Sequence, residues 1–326
     1  MTMTRKEIVV EESRLESKSI PFANGNIAYV HLKSFYQDRN TSSAKDVQDA
    51  ILKIKEDRPI NGVILDLRNN TGGVLQVATQ LAGLFLKKGV VAAIKNHDNN
   101  IQYLVNFNPE ALWDGPLIVL TNPISISASE VVAQALQDYG RAIIVGDEYT
   151  FGKGSYQLPS MGRLGEGKIN EKGELKVTEG LYYTVSGKSP QQIGVKADII
   201  VPGAYSNIEI GERFSKYPLK NESINPLFDH DFSDYPPLYR MKIMYALRGK
   251  SQKIIDSYTK YLPILKENSK LRLENNKIYQ KFLSKVNREE KDTDDENEEK
   301  INFIFYDFQL DEAVNILKDL ITLEKT

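Results

Sequence analysis

Three short runs of apolar, mostly β-branched residues do most to constrain the fold: 62–67 (GVILDL), 117–120 (LIVL) and 142–145 (AIIV). Each is continuous where a half-exposed strand would alternate, which is the pattern of a strand buried on both faces. Each also leads into a turn rich in glycine, serine or asparagine, and stretches with helical spacing lie between them. Such alternation predicts an α/β fold with a largely parallel central sheet over about residues 25–200.

The remaining elements fit that frame. Residues 27–32 read as a strand and 44–55 as a helix, with Val47, Ile51 and Ile54 on one stripe after the start residues Thr41, Ser42 and Ser43. A helix over 75–88, a strand over 90–95, a polar turn-rich stretch, a helix over 129–139 and a strand over 180–185 follow. Residues 6–20 read as an extended, charged sheet edge, and 162–173 as a glycine-rich loop. Beyond 205 the pattern changes: an irregular, proline-bearing stretch precedes helices over 238–262, stopped by Pro263, and over 269–286, and a short helix over 310–323 comes last. Residues 289–299 carry eight acidic side chains against the single Lys291, the composition of a solvated linker. The expected division is a core over 1–205 and a mainly helical region over 206–326.

Composition removes several classes of function. Lys and Arg number 42 against 44 Asp and Glu, so no basic excess points to nucleic acid. The absence of cysteine excludes thiol nucleophiles, disulfides and zinc–thiolate sites. His31, His97 and His230 are too scattered for a metal site or a motif-borne base, so neither a metal nor a cofactor is expected. No apolar run approaches the roughly 18 residues of a membrane span, and the start of the chain lacks a signal peptide's apolar stretch.

Three patches can carry chemistry. Arg68-Asn69-Asn70-Thr71-Gly72-Gly73 follows the first buried strand, and two glycines at a strand-to-helix junction suit an oxyanion hole as well as a tight turn. Ser125-Ile126-Ser127-Ala128-Ser129-Glu130 follows the second. For structure alone, Ser127 and Glu130 form a Ser-x-x-Glu capping box; for function, a serine hydroxyl sits at the positive end of a helix, at the sheet edge where α/β ligand sites lie. The third, Thr150 to Gln157, sets Lys153 between Gly152 and Gly154, where its spacing fails the phosphate-loop pattern. A lysine threaded into a cleft loses its proton more easily and can serve a serine as general base. All three patches follow buried strands and so are expected to converge on one sheet edge.

With these residues in view, NGVILDLRNNTGG, GPLIVLTNPISISASE and LQDYGRAIIVGDEYTFGKGSYQ resemble the tail-specific, or C-terminal processing, serine proteases, and the large periplasmic ones most of all. The resemblance implies a crotonase-like (ClpP/crotonase-type) α/β core and a periplasmic or secreted protease. It implies Ser127 as nucleophile, Lys153 as base, Gln157 as the residue that orients the lysine amine, and the amides of Ala128 and of Gly72 or Gly73 as oxyanion hole. An even separation on an extended segment agrees with Lys153 and Gln157 sharing a face. Asp138 matches a position of functional importance in the family; otherwise it is a structural partner of Arg141. The family carries a PDZ domain ahead of its core, which this sequence lacks, so either the sequence is that of a truncated protein, or tail selection is lost or handed to another chain, an adaptor or a separate PDZ-bearing one. The stretch Asp147–Thr150 is one residue longer than usual and calls for a bulge between Ser127 and Lys153. The expected activity is endoproteolysis of unfolded proteins or those with apolar tails. The alternatives are a non-catalytic module that binds such tails or apolar ligands, and an acyl-CoA-handling crotonase-like enzyme.

Overall fold

A computed structural model of the chain describes residues 14–160, 175–249, 251–255, 258–287, 303 and 306–325. In chain order its elements begin β1 (Leu15–Phe22), β2 (Gly25–Leu32), α1 (Ser43–Asp57), β3 (Ile60–Asp66), α2 (Leu75–Ala82), β4 (Gly89–Asn96), β5 (Ile101–Asn106), β6 (Leu117–Thr121) and α3 (Ala128–Asp138). They continue β7 (Ile143–Gly146), β8 (Ser155–Ser160), β9 (Leu175–Thr184), β10 (Ile199–Ile200), α4 (Pro237–Leu247), α5 (Leu262–Asn275), α6 (Lys277–Asn287) and α7 (Phe308–Leu323).

The central sheet has the order β1-β2-β3-β6-β7-β10, parallel throughout except for the antiparallel edge strand β1. A second, antiparallel sheet has the order β5-β4-β9-β8. The molecule is thus the mixed α/β structure that the strand–helix alternation predicts. Two-sided burial explains why the central strands read as unbroken apolar runs. Val63, Leu65, Leu117, Val119 and Ile144 face a core shared with α1, α2 and α3, whereas Ile64, Ile118, Leu120, Ile143 and Val145 face the opposite core. That second core is closed by α7 through Leu310, Ala313, Ile316, Leu317 and Leu320. Gly62 admits it closely, since a Cβ there would lie 2.9 Å from Leu317 Cδ2.

Ionic contacts fasten α7 to the carboxyl ends of the strands. The Arg68 guanidinium reaches Asp66 at 2.6 Å and Asp307 at 2.7 Å. Asp307 also caps the helix by accepting the Leu310 N–H at 3.0 Å, and Gln309 donates to the buried Asp147 at 3.0 Å. Although 108 residues separate them, Gln309 also donates to the Val201 carbonyl at 2.8 Å.

Several elements depart from the sequence reading. The helix expected over 75–88 stops at Ala82 because the Asn106 side chain takes the carbonyls of Leu86 and Lys87, both at 3.0 Å, and presses against Gly83. Asn106 ends β5, a strand within the stretch expected to be only turns. Pro263 does not stop a helix over 238–262 but stands in the first turn of α5, where its missing N–H costs nothing. The helix expected over 269–286 is broken at Asn276, whose side chain accepts the N–H groups of Ile278 and Tyr279, both at 3.1 Å. Residues 6–13, the loop 162–173 and the acidic stretch 289–299 lie outside the described residues. Among the described residues no helix is long and apolar enough to cross a membrane.

Candidate active site

The parallel register brings the three patches to one edge. Asp66 is level with Leu120, and Thr121 with Gly146, so the segments after β3, β6 and β7 leave the sheet side by side. Side-chain amides and hydroxyls then stitch the first two together. Asn69 N–H donates to Asn122 Oδ1 at 3.0 Å, and Asn122 Nδ2 donates back to Asn69 Oδ1 at 2.8 Å. Ser125 Oγ donates to the Leu67 carbonyl at 2.9 Å, and Ser129 Oγ to the Asn70 carbonyl at 2.8 Å. Two of the three serines in the run are therefore buried and committed to holding the loop.

Ser127 is different. It stands at the start of α3 with φ 59° and ψ −110°, and forms with Glu130 the Ser-x-x-Glu capping box that the sequence predicts. A side-chain-bearing residue in that region is strained by about 1–3 kcal/mol, which the surrounding bonds must sustain. In that box Glu130 Oε2 accepts the Ser127 N–H at 2.8 Å, and the Glu130 N–H also donates to the Ser127 carbonyl at 2.9 Å.

Glu130 does more than cap. Fully buried, it accepts Ser127 N–H and Lys153 N–H (2.9 Å) on one oxygen, and Gly152 N–H (2.7 Å) and Thr150 Oγ1 (2.5 Å) on the other. One carboxylate thus joins the serine turn to the lysine segment. Burial pushes its carboxyl up to about 7, and the four donated hydrogen bonds oppose a further rise. The sequence showed this residue only as a helix cap, because its partners at 150–153 are twenty or more positions away.

Lys153 is half-buried, and desolvation lowers its amine below the ordinary 10.5, against the nearby charges of Glu212 and Glu130. Its Nζ donates to the Ser155 carbonyl at 2.7 Å. The resemblance implied that Gln157 orients this amine. Instead, Gln157 Nε2 donates to Ser155 Oγ at 3.2 Å and to Thr178 Oγ1 at 3.4 Å, so Ser155 stands between glutamine and lysine. The pairing of β8 with β9 slips between Tyr156 and Gln157, with the extra residue, Glu179, on β9, and Lys153 lies before β8 begins.

The glycines differ from one another. Gly72 (φ +93°) packs against the nucleophile turn, where a Cβ would lie 2.7 Å from the Ile126 carbonyl oxygen and 3.0 Å from Ser127 Cβ. Its N–H is already given to Asn70 Oδ1 at 2.9 Å. Gly73 (φ +143°) lies against the main chain of Phe35, whose oxygen would be 2.0 Å from a Cβ. Among the described residues the Gly73 and Ala128 N–H groups donate to nothing else, and Ala128 is the first residue of α3, where orphan donors and the helix dipole favour negative charge. Of the three expected oxyanion residues, Gly73 and Ala128 thus have N–H groups without a partner among the described residues, while that of Gly72 is engaged by Asn70.

Asp138 lies at the opposite end of α3, about 16 Å along the helix from Ser127 at 1.5 Å per residue. Its carboxylate accepts from Gln134 (2.8 Å), Thr184 Oγ1 (2.6 Å) and Ser186 N–H (3.1 Å), and so ties α3 to the end of β9. It does not pair with Arg141, which is buried and donates to the Phe85 and Trp113 carbonyls and to Tyr258. Histidine is not at this edge, except for His31, whose ring nitrogen lies 3.2 Å from the Arg68 carbonyl.

Comparison with known proteins adds similarities of sequence over the same residues. The sequence pattern of peptidase family S41 matches residues 26–201. A carboxy-terminal-processing protease of Bartonella bacilliformis is 36% identical over 199 residues, covering 60% of this chain and 43% of the relative. A tail-specific protease of Haemophilus influenzae is 30% identical over 300 residues, covering 90% of this chain and 41% of the relative. The chain thus spans about two fifths of the length of these curated relatives. A solved photosystem II D1 C-terminal processing protease aligns over 61% of this chain and 50% of its own, at 26% identity and a TM-score of 0.49.

Proposed function

Since this chain belongs to peptidase family S41, we propose that it is a serine endopeptidase unit in which Ser127 is the nucleophile and Lys153 its base. The observation that carries this reading is the contrast among the serines: Ser125 and Ser129 spend their hydroxyls on neighbouring carbonyls, while Ser127 stands at positive φ at a helix start and is tied through Glu130 to Lys153.

In the proposed reaction the Lys153 amine leaves the Ser155 carbonyl, takes the Ser127 proton as the oxygen attacks the scissile carbonyl, and gives it to the departing amine. The Gly73 and Ala128 N–H groups receive the oxyanion. Water, deprotonated by the same lysine, then releases the acyl group from Ser127. A depressed amine pKa supports this role, because a fully protonated lysine accepts nothing. Gln157 supports the lysine through Ser155. The parallel sheet serves as a crotonase-type core, and the substrate strand runs beside Gly72–Gly73 or the 124–127 segment.

The names of the relatives, tail-specific and carboxy-terminal-processing, support protein substrates handled at their C-termini; apolar tails, an adaptor or PDZ-bearing chain as partner and the periplasm as site of action are our inference from the family resemblance of the sequence. A non-catalytic tail-binding module is the second reading, favoured by the resting contact of Lys153 with the Ser155 carbonyl. Incubation of the purified chain with an unfolded protein bearing an apolar C-terminus decides between them. Cleavage that is lost in both Ser127→Ala and Lys153→Ala supports the protease; a folded chain that neither cuts nor takes up a fluorophosphonate at Ser127 supports the binding module.

A further inference from the structure

We propose that Tyr182 is a positioning residue for the proposed dyad, its buried phenol oxygen bridging the main-chain carbonyls of Ser127 and Lys153 and so setting the separation of nucleophile and base. The inference rests on the Ser127–Lys153 reading above. Tyr182 lies on β9, paired with Ile94 of β4, and its ring is 1% exposed. Its hydroxyl is 3.0 Å from the Ser127 carbonyl oxygen and also contacts the Lys153 carbonyl oxygen. Its backbone N–H donates to the Gly154 carbonyl at 2.9 Å, so Tyr182 holds the lysine segment by both main chain and side chain.

Each of the two residues is thereby gripped at both ends of its polar main chain. Glu130 takes the N–H groups of Ser127 and Lys153, and Tyr182 meets their carbonyls. A phenol has one proton and donates to one carbonyl at a time. The Ser127 carbonyl has other donors, the N–H groups of Glu130 and Val131. Among the described residues the Lys153 carbonyl has Tyr182 alone, so loss of the hydroxyl leaves that carbonyl without a donor and frees the lysine segment to move. Burial and the nearby charge of Glu130 raise the phenol well above 10, which keeps it a neutral donor. The adjacent Tyr183 provides the contrast: its hydroxyl, 3.1 Å from Glu222, serves no part of the site.

The test compares Tyr182→Phe with Tyr183→Phe in the full chain, reading kcat and KM on an unfolded protein substrate and the rate of Ser127 acylation by a fluorophosphonate. Misplacing a base by an ångström costs far more in rate than in binding, so Tyr182→Phe is expected to lower kcat and acylation roughly tenfold or more with KM within about twofold, and Tyr183→Phe to change neither. A Tyr182→Phe chain with an unchanged kcat and acylation rate overturns the proposal, as does an equal loss in Tyr183→Phe. If Tyr182→Phe does not fold, 3-fluorotyrosine at position 182 replaces it: its fluorine resonance is expected to move when Ser127 is acylated, and an unmoved resonance overturns the proposal. A folded parent chain that is not acylated at all refutes the Ser–Lys reading itself, an outcome visible before any variant is compared.

Discussion

Glu130 Oε2 accepts the backbone N–H of Lys153 at 2.9 Å, so the carboxylate that holds the start of α3 also fixes where the proposed base begins. It is fully buried, without a cationic partner among its hydrogen bonds, and answered by four donors. Its ionisation and the alignment of the site are therefore linked.

That linkage has a pH signature. The carboxyl titrates at about 7 in the folded chain against an ordinary 4.5, so the native state holds this proton more tightly than the unfolded state. The resulting stabilisation is fully present below the unfolded value and is lost as pH rises through about 7. Glu130→Gln cannot titrate. Urea unfolding across this window is expected to show the parent losing on the order of 3 kcal/mol relative to Glu130→Gln, at about 1.4 kcal/mol per pKa unit. A parent-to-variant difference that stays flat with pH contradicts the assignment.

Lys153 makes a kinetic prediction. Its amine is held below 10.5, chiefly by desolvation, and only the neutral form accepts the Ser127 proton. The rate of Ser127 acylation is expected to rise with pH along an ionisation below that of an ordinary lysine. Glu212→Gln removes a charge that favours the protonated amine, so the same limb moves to lower pH. A limb unmoved in that variant shows that another group controls the rate.

The two glycines are separable by experiment. Alanine at Gly72 presses on the Ile126 carbonyl and on Ser127 Cβ, and alanine at Gly73 collides with the Phe35 carbonyl. Both force a side chain into a positive-φ conformation. Gly73→Ala is expected to slow Ser127 acylation by about 10² or more, the scale of a lost oxyanion donor, and Gly72→Ala to slow it by pushing on the Ser127 turn with the Gly73 and Ala128 donors still present. Gly73→Ala, with the harder backbone contact, is expected to lower the urea midpoint more.

On the far side of the sheet, Leu317 lies fully buried over Gly62. Leu317→Ala is expected to cost about 2–5 kcal/mol in equilibrium unfolding, the range for a large-to-small change in a packed core. An effect under about 1 kcal/mol, the level of surface substitutions, indicates that α7 does not close this core in solution.

Periodicity and local turn chemistry reach part of this structure. The parallel strands, α1, α3 and the convergence of three turns on one edge follow from apolar runs and from where glycine and serine interrupt them. Interactions between distant segments are not written in any window of sequence. Asn106 curtails α2 from a strand that itself looked like loop, and Pro263 opens a helix because the chain before it turns away. Within the site, Ser127, Lys153 and Gly73 are legible as residue types in suggestive places. The engagement of Gly72 by Asn70, the interposition of Ser155 before Gln157 and the double grip of Glu130 and Tyr182 come only from folding.

The late position of α7 bears on biosynthesis. While the nascent chain leaves the ribosome, β2, β3, β6 and β7 can pair and gain α1 to α3 on one face, yet Ile64, Ile118, Leu120 and Val145 stay open on the other until residues 308–323 emerge. A partly made chain therefore shows chaperones an uncovered apolar sheet, and Arg68 lacks Asp307 beside the loop that carries Gly72 and Gly73.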